Sequence, residues 1–208
     1  MTRILLTGFE PFAGAPCNPS WDAVKIVGET WSGAAELVTA RLPVEFGGAA
    51  DALASLVRRH TPDAVVAVGV AEGRAAITPE RIAINLADAT IADNAGARPV
   101  DEPIDVEGPA AAFSTLPVRA MVEAVTAAGL PASLSLSAGA YVCNHVMYES
   151  LVRIARDVPA VGFIHVPASS EMLLAPSVPT LPVQRTAAGL TLCLKVVVDH
   201  LHPPLPTT

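Results

Sequence analysis

With 208 residues, 51% of them hydrophobic and 16% charged, the chain is long enough to bury a core of its own and too apolar to stay disordered. Its 13 basic side chains against 20 acidic ones leave a net charge of -7 with no basic run, which argues against a nucleic-acid partner. No apolar stretch approaches the ~20 residues of a membrane helix, and the odd set of three cysteines implies no disulfide framework.

Short apolar runs alternate with helical patterns. Residues 4–7 predict a first strand. Asn18-Pro19 opens a helix, with Asn18 as the capping side chain and Pro19 at the first helical position, where its missing N–H costs nothing. Residues 36–44 predict a strand, and 48–60 a helix that stops before Thr61-Pro62. Residues 64–70 are continuously apolar, the mark of a strand covered on both faces. Residues 81–89 alternate and predict a further strand. Leu116-Pro117 starts a helix with Val118, Met121, Val122 and Val125 on one face, closed by Gly129. Residues 133–137 predict a short strand, 141–156 a helix, 160–166 a strand and 183–201 a last helix. Such alternation predicts a single α/β domain around a mostly parallel, sandwiched sheet. The loops at 8–18, 71–79 and 92–110 are long enough to carry a site.

Of the three cysteines, Cys193 sits with Leu190, Leu194 and Val197 at helical spacing and reads as a core thiol. Cys17 lies in a loop with nothing nearby to activate it. Cys143 follows a predicted strand and the small-residue turn Ala138-Gly139-Ala140, which sets it at a helix start. The unpaired N–H groups there carry partial positive charge, suited to a thiolate or an oxyanion. A buried helix cysteine fits the local pattern about as well. The N-terminal residues lack the apolar core of a signal peptide. Free thiols then make a reduced, cytoplasmic protein the default.

A cysteine nucleophile needs a histidine in space. His200 and His202, two apart in a polar tail read as frayed surface, are a weak metal signal. His60 ends a helix. His145 is two residues from Cys143, and helical geometry turns it away from the thiol. His165 stands at the end of the apolar run at 160–166, where open α/β sheets gather their sites. A third group should orient the imidazole. Glu80, Asp88, Asp93 and Asp101 all qualify, and spacing does not choose among them. For Glu80 the bland alternative is a surface ion pair with Arg81 or Arg74.

Five segments together resemble the pyroglutamyl-peptidase I family of cysteine peptidases. They are Thr7-Gly8-Phe9-Glu10-Pro11-Phe12 with Asn18-Pro19; Ile77-Thr78-Pro79-Glu80-Arg81-Ile82-Ala83-Ile84-Asn85; Asp93-Asn94 with Gly96; Ser137-Ala138-Gly139 with Tyr141-Val142-Cys143-Asn144; and Gly162-Phe163-Ile164-His165-Val166-Pro167. The resemblance implies a three-layer α/β/α sandwich and a Cys–His–Glu triad of Cys143, His165 and Glu80. It also implies removal of N-terminal pyroglutamyl residues through a thioester, with no metal or organic cofactor. Phe9, Phe12, Asn18, Val70, Ile91, Tyr141 and Val142 become the expected substrate contacts. Peptides are the implied substrate, and a homo-oligomer, dimer or tetramer, the implied assembly. The chain departs from the family pattern at Val70 and Thr90, where relatives often carry Gln and Arg, and at Ala13-Gly14, where they carry two glycines. Two other readings stay open: a weak or inactive peptide-binding relative, and a nucleoside phosphorylase-like transferase, for which no phosphate loop is present.

Overall fold

The apolar run at 64–70 forms the middle strand of a five-stranded sheet in a computed structural model that describes residues 1–172 and 174–203. In chain order the elements are β1 (Arg3–Phe9), α1 (Pro19–Thr30), β2 (Glu36–Leu42), α2 (Gly48–His60), β3 (Ala64–Val70), β4 (Thr78–Pro79) and β5 (Ile82–Ile84). There follow β6 (Ala111–Phe113), α3 (Val118–Ala127), α4 (Val142–Glu149), a π-helical turn at Ser150–Ile154, β7 (Ala160–Val166) and α5 (Val183–Leu201). The sheet runs β2-β1-β3-β7-β4. Its strands are parallel except β4, which lies antiparallel on β7 with Thr78 opposite His165.

Successive side chains of a strand point to opposite faces, and here each face is covered. Ile4 and Leu6 join a core beneath α1, α3 and α5 that includes Val24, Met121, Leu190 and Leu194. Leu5 joins the other core, with Leu53 of α2 and Val146 of α4. All are fully buried, and each such side chain contributes ~1.5–3 kcal/mol over its exposed state. The result is a single-domain α/β/α sandwich. From β1 the chain crosses to β2 on one side, then returns to β3 on the other. The loops leaving β1 and β3 diverge there, which opens a crevice at the carboxyl ends of the strands.

Three predicted elements and the reading of the polar tail differ. Of 81–89 only Ile82–Ile84 is a strand, and it pairs with Ala111–Phe113 in a separate two-stranded sheet. It stops because the Asn144 side chain takes the backbone of Ile84 and Leu86 (N–H of Ile84 to Oδ1, 3.0 Å; Nδ2 to the two carbonyls, 2.9 and 3.0 Å). Residues 133–137 make one isolated bridge, Glu80 to Ser135, just after that of Ile77 to Ala132. The Ser135 hydroxyl turns back to Ser137, an alternative to the ladder. The helix at 141–156 changes to π form at Ser150, whose hydroxyl bonds the Val146 carbonyl at 2.6 Å. The polar tail is not frayed through Leu201, and His202 is tied to the Thr2 hydroxyl; residues from 204 lie outside those described.

Candidate active site

Strand-end geometry builds the site. Cys143 occupies the first turn of α4, reached through the turn at 138–140, where Gly139 adopts φ +80° and so suits a residue without Cβ. The preceding residue, Tyr141, supplies no capping side chain. The first N–H groups of α4 therefore have no partner within the helix and are available to a ligand. Gly69 of β3 stands opposite His165 of β7. A Cβ there would lie 2.7 Å from the Cys143 sulfur and 2.8 Å from the Phe163 ring. The sulfur can sit over the sheet only because this residue is glycine.

His165 and Glu80 are both buried, at 4% and 0% exposure, and Glu80 Oε1 holds His165 Nδ1 at 2.7 Å. Backbone bonds fix that register: Glu80 N–H donates to Phe163 O at 2.9 Å, and Arg81 N–H to Ser135 O at 2.9 Å. Arg74 reaches the same Oε1 at 2.6 Å. Burial pushes the Glu80 carboxyl up, but His165, Ser135 and Arg74 outweigh it and hold the group below its ordinary range. Burial pushes His165 down, and the positive charge of Arg74 adds to this against the pull of Glu80. Burial and the negative charge of Glu80 push the Cys143 thiol up to about 12. The resting constellation is thus a carboxylate, a neutral imidazole and a thiol, not a preformed thiolate.

Above these groups lies a cavity of about 200 Å³ lined by Phe9, Phe12, Asn18, Val44, Val70, Ala138, Tyr141, Val142, Cys143 and His165. That volume suits a small ring and is below the range of drug-sized pockets. Phe9 packs on Phe163 and Phe12 on Tyr141, with ring centres 6.2 and 6.3 Å apart. Asn18 is committed to the fold: Oδ1 accepts from Ser20 N–H at 3.1 Å, and Nδ2 donates to Glu10 O at 2.9 Å. One Nδ2 hydrogen remains, so capping and lining the cavity coexist. Polar side chains pin the surrounding loops. Asp93 accepts from Phe46, Ala95 and Ala97 N–H groups at 2.7, 3.0 and 2.7 Å. Glu10 Oε1 accepts from Asn94 at 2.7 Å, and the Tyr141 hydroxyl donates to Ala92 O at 3.1 Å.

Of the residues named from the sequence, nine meet here, and Ile91 does not: it is 45% exposed in the loop after β5 and off the cavity lining. Thr90 is likewise exposed. Cys193 is on α5 and buried in the core. His145 packs edge-on against Phe46, centres 5.6 Å apart, away from the sulfur. Gly69 and Val44 were missed, and Arg74 and Asn144 were named without a place in the site. A glycine inside an apolar strand is the one such signal that local sequence offers, since it marks close approach of another group. Among the described residues, no group of three or more His, Cys, Asp or Glu is placed to hold a metal, and no helix is long and apolar enough to cross a membrane.

A family model described as pyroglutamyl peptidase matches residues 2–200. The pyrrolidone-carboxylate peptidase of Yersinia pestis (strain Pestoides F) is 45% identical over 205 residues, 97% of this chain and 95% of its own. That of Cupriavidus taiwanensis is 48% identical over 194 residues, covering 91% and 90%. Among solved structures, Bacillus amyloliquefaciens pyroglutamyl peptidase I superposes with a TM-score of 0.92 at 40% identity, covering 96% of this chain and 98% of that one. The pyrrolidone carboxyl peptidase of Thermococcus litoralis gives 0.90 at 36% identity, covering 97% and 95%.

Proposed function

Because the chain belongs to the pyroglutamyl peptidase family, we propose that it removes N-terminal pyroglutamyl residues from peptides, with Cys143 as nucleophile, His165 as base and acid, and Glu80 orienting His165. The observation that carries this reading is the bonded Glu80–His165 pair and the Cys143 sulfur at the floor of one small, mostly apolar cavity. Pyroglutamate is a neutral lactam without an α-ammonium. It calls for apolar walls and few polar contacts, as Phe9, Phe12, Val44 and Val142 with the free Asn18 N–H offer.

The thiol proton passes to His165 Nε2 as sulfur bonds to the pyroglutamyl carbonyl carbon. Glu80 stays ionised and holds the imidazole by Nδ1. The first N–H groups of α4 receive the developing oxyanion. The C–N bond then breaks, the leaving amine takes the proton from His165, and a thioester remains on Cys143. Water attacks that thioester, with His165 accepting its proton and returning it to sulfur. No step calls for a metal or organic cofactor.

Exposed apolar side chains such as Val106 and Phe113 support a homo-oligomer, dimer or tetramer. The three free thiols fit a reducing, cytoplasmic setting. The nucleoside phosphorylase reading has no support from the family match.

The test is hydrolysis of a pyroglutamyl-coumarin amide. Cys143→Ala abolishes release of the amine and Cys193→Ala retains it. Equal loss in both variants, or an inactive parent, overturns the proposal.

A further inference from the structure

The Arg74 side chain looks from the sequence like one half of a surface ion pair, yet it makes three hydrogen bonds to three residues in two segments of the site. Nη1 donates to Glu80 Oε1 at 2.6 Å and to Thr78 Oγ1 at 2.7 Å, and Nη2 donates to the Ser137 carbonyl at 2.8 Å. Thr78 is in β4, Glu80 follows it, and Ser137 begins the turn that delivers Cys143. The loop bearing Arg74 is itself anchored, with Ala71 N–H on Val166 O at 2.9 Å and Arg74 N–H on Ala71 O at 3.2 Å. We propose that Arg74 is a positioning residue for the reaction: its guanidinium clamps the carboxylate that orients His165 to the turn that carries the nucleophile. This rests on the functional reading above and adds a residue to it.

The charge accounting shows why a cation is needed there. Glu80 is fully buried and keeps its charge. A buried charge is costly unless it is paired and hydrogen-bonded. Two cations can serve Glu80, the Arg74 guanidinium or a protonated His165, and both address Oε1. With Arg74 in place the ion pair is complete and His165 rests neutral, ready to accept the thiol proton. Without it, Glu80 draws a proton onto His165, and the base is already occupied. Among the described residues, the charged groups acting on His165 and on Cys143 are Glu80 and Arg74, and the titratable side chains that share the cavity with His165 are Cys143 and Tyr141. Arg74 also opposes part of the rise that burial and Glu80 impose on the thiol. Planarity matters as well as charge. The guanidinium fork serves three acceptors at once, and a lysine ammonium on a flexible stem keeps the charge without that fixed geometry.

The experiment compares the full chain with Arg74→Gln, Arg74→Lys, Glu80→Gln and the double variant Arg74→Gln/Glu80→Gln on the pyroglutamyl-coumarin amide across pH. Arg74→Gln should lose kcat by ~10–100-fold, as loss of outer supporting groups does elsewhere, with KM within about twofold. Its acid limb in kcat/KM should move to higher pH. Arg74→Lys should return the limb toward the parent's while kcat stays low. Because Arg74 acts through Glu80, the double variant should be no slower than Glu80→Gln alone. If Arg74→Gln does not fold, as judged by circular dichroism, Arg74→Lys carries the test, and parent-like kcat in it overturns the proposal. An acid limb unmoved in Arg74→Gln, or losses that multiply in the double variant, also overturns it. An inactive parent overturns the functional reading itself. An active parent with an unaffected Arg74→Gln overturns this inference alone.

Discussion

Substituting Gly69 by alanine puts one methyl group against the sulfur without touching any group proposed to move a proton. The added carbon would lie 2.7 Å from Cys143 Sγ and 2.8 and 3.0 Å from two carbons of the Phe163 ring. Carbon contacts settle at ~3.5–4.0 Å, so a neighbour must retreat by roughly 1 Å. The ring is poorly placed to do so, because it is held between Phe9 and His165, with centres 6.2 and 4.9 Å away. The sulfur borders the cavity and is the group that yields. A misplacement of ~1 Å at a reacting atom costs ~10²-fold in rate. Overpacking costs ~1–3 kcal/mol, which at ~2–4 °C per kcal/mol for a chain of this size lowers Tm by ~2–12 °C. Gly69→Ala should therefore fold, bind and turn over ~100-fold more slowly, as read by kcat on a pyroglutamyl-coumarin amide beside a thermal melt. A kcat within about twofold of the parent's would refute the claim that this strand position sets the sulfur, since ~1 Å could not be hidden from the rate.

Other outcomes follow from named groups. His165 is held below its ordinary value of 6.5, so it stays neutral into mildly acidic solution, and the acid limb of kcat/KM should fall below pH 6.5 in a pH-rate profile. The Cys143 thiol is raised to about 12, so inactivation by iodoacetamide should keep accelerating above pH 9, whereas a plateau near pH 6 would mean a preformed thiolate. Stability carries the same signs. His165 and Glu80 both have lowered pKa values in the folded chain, so their contributions are present above about 6.5 and 4.5 and are lost on acidification, which urea titrations at successive pH values should show. Asn144→Ala leaves the Ile84 N–H and the Leu86 carbonyl unpaired, while the Ile84 carbonyl keeps the Leu86 N–H, a loss of at least ~2 kcal/mol at ~1–3 each, measured as a lower urea midpoint. Thr61, a β-branched residue at φ +43° after α2, strains the chain by ~1–2 kcal/mol. Thr61→Gly should raise Tm by a few degrees after the ~0.5–1 kcal/mol entropic cost of glycine.

The strands and helices of the sandwich were legible because burial on both faces writes itself as unbroken apolar runs. Residues 64–70 and 160–166 are strands over their full predicted length, and the helices at 48–60 and 183–201 likewise. What failed were segments whose backbone is satisfied by side chains. Alternation at 81–89 imitates a strand, but Asn144, sixty residues on from Ile84, takes the hydrogen bonds that a neighbouring strand would take. Such a partner has no local trace. The serines at 133, 135 and 137 alternate as a strand does, while the hydroxyls of Ser135 and Ser137 fold the chain back on itself.

The choice of carboxylate shows the same limit at the site. Pattern alone left Glu80, Asp88, Asp93 and Asp101 equal. Asp93 is buried, but both its oxygens are spent on N–H groups of its own loop and of Phe46. Asp88 and Asp101 are exposed. Glu80 alone stands beside His165, and it does so because two residues of β4 run antiparallel to β7 and bring residue 80 level with Phe163. That register is a long-range fact, set by the sheet edge and by the Ser135 bridge. The same edge brings Arg74 to Glu80, so the carboxylate proposed to orient His165 and its cation arrive together. A mutation that slips β4 by one residue would turn Glu80 to the other face and remove both from His165 at once, with the cavity walls on β1 and α4 left standing.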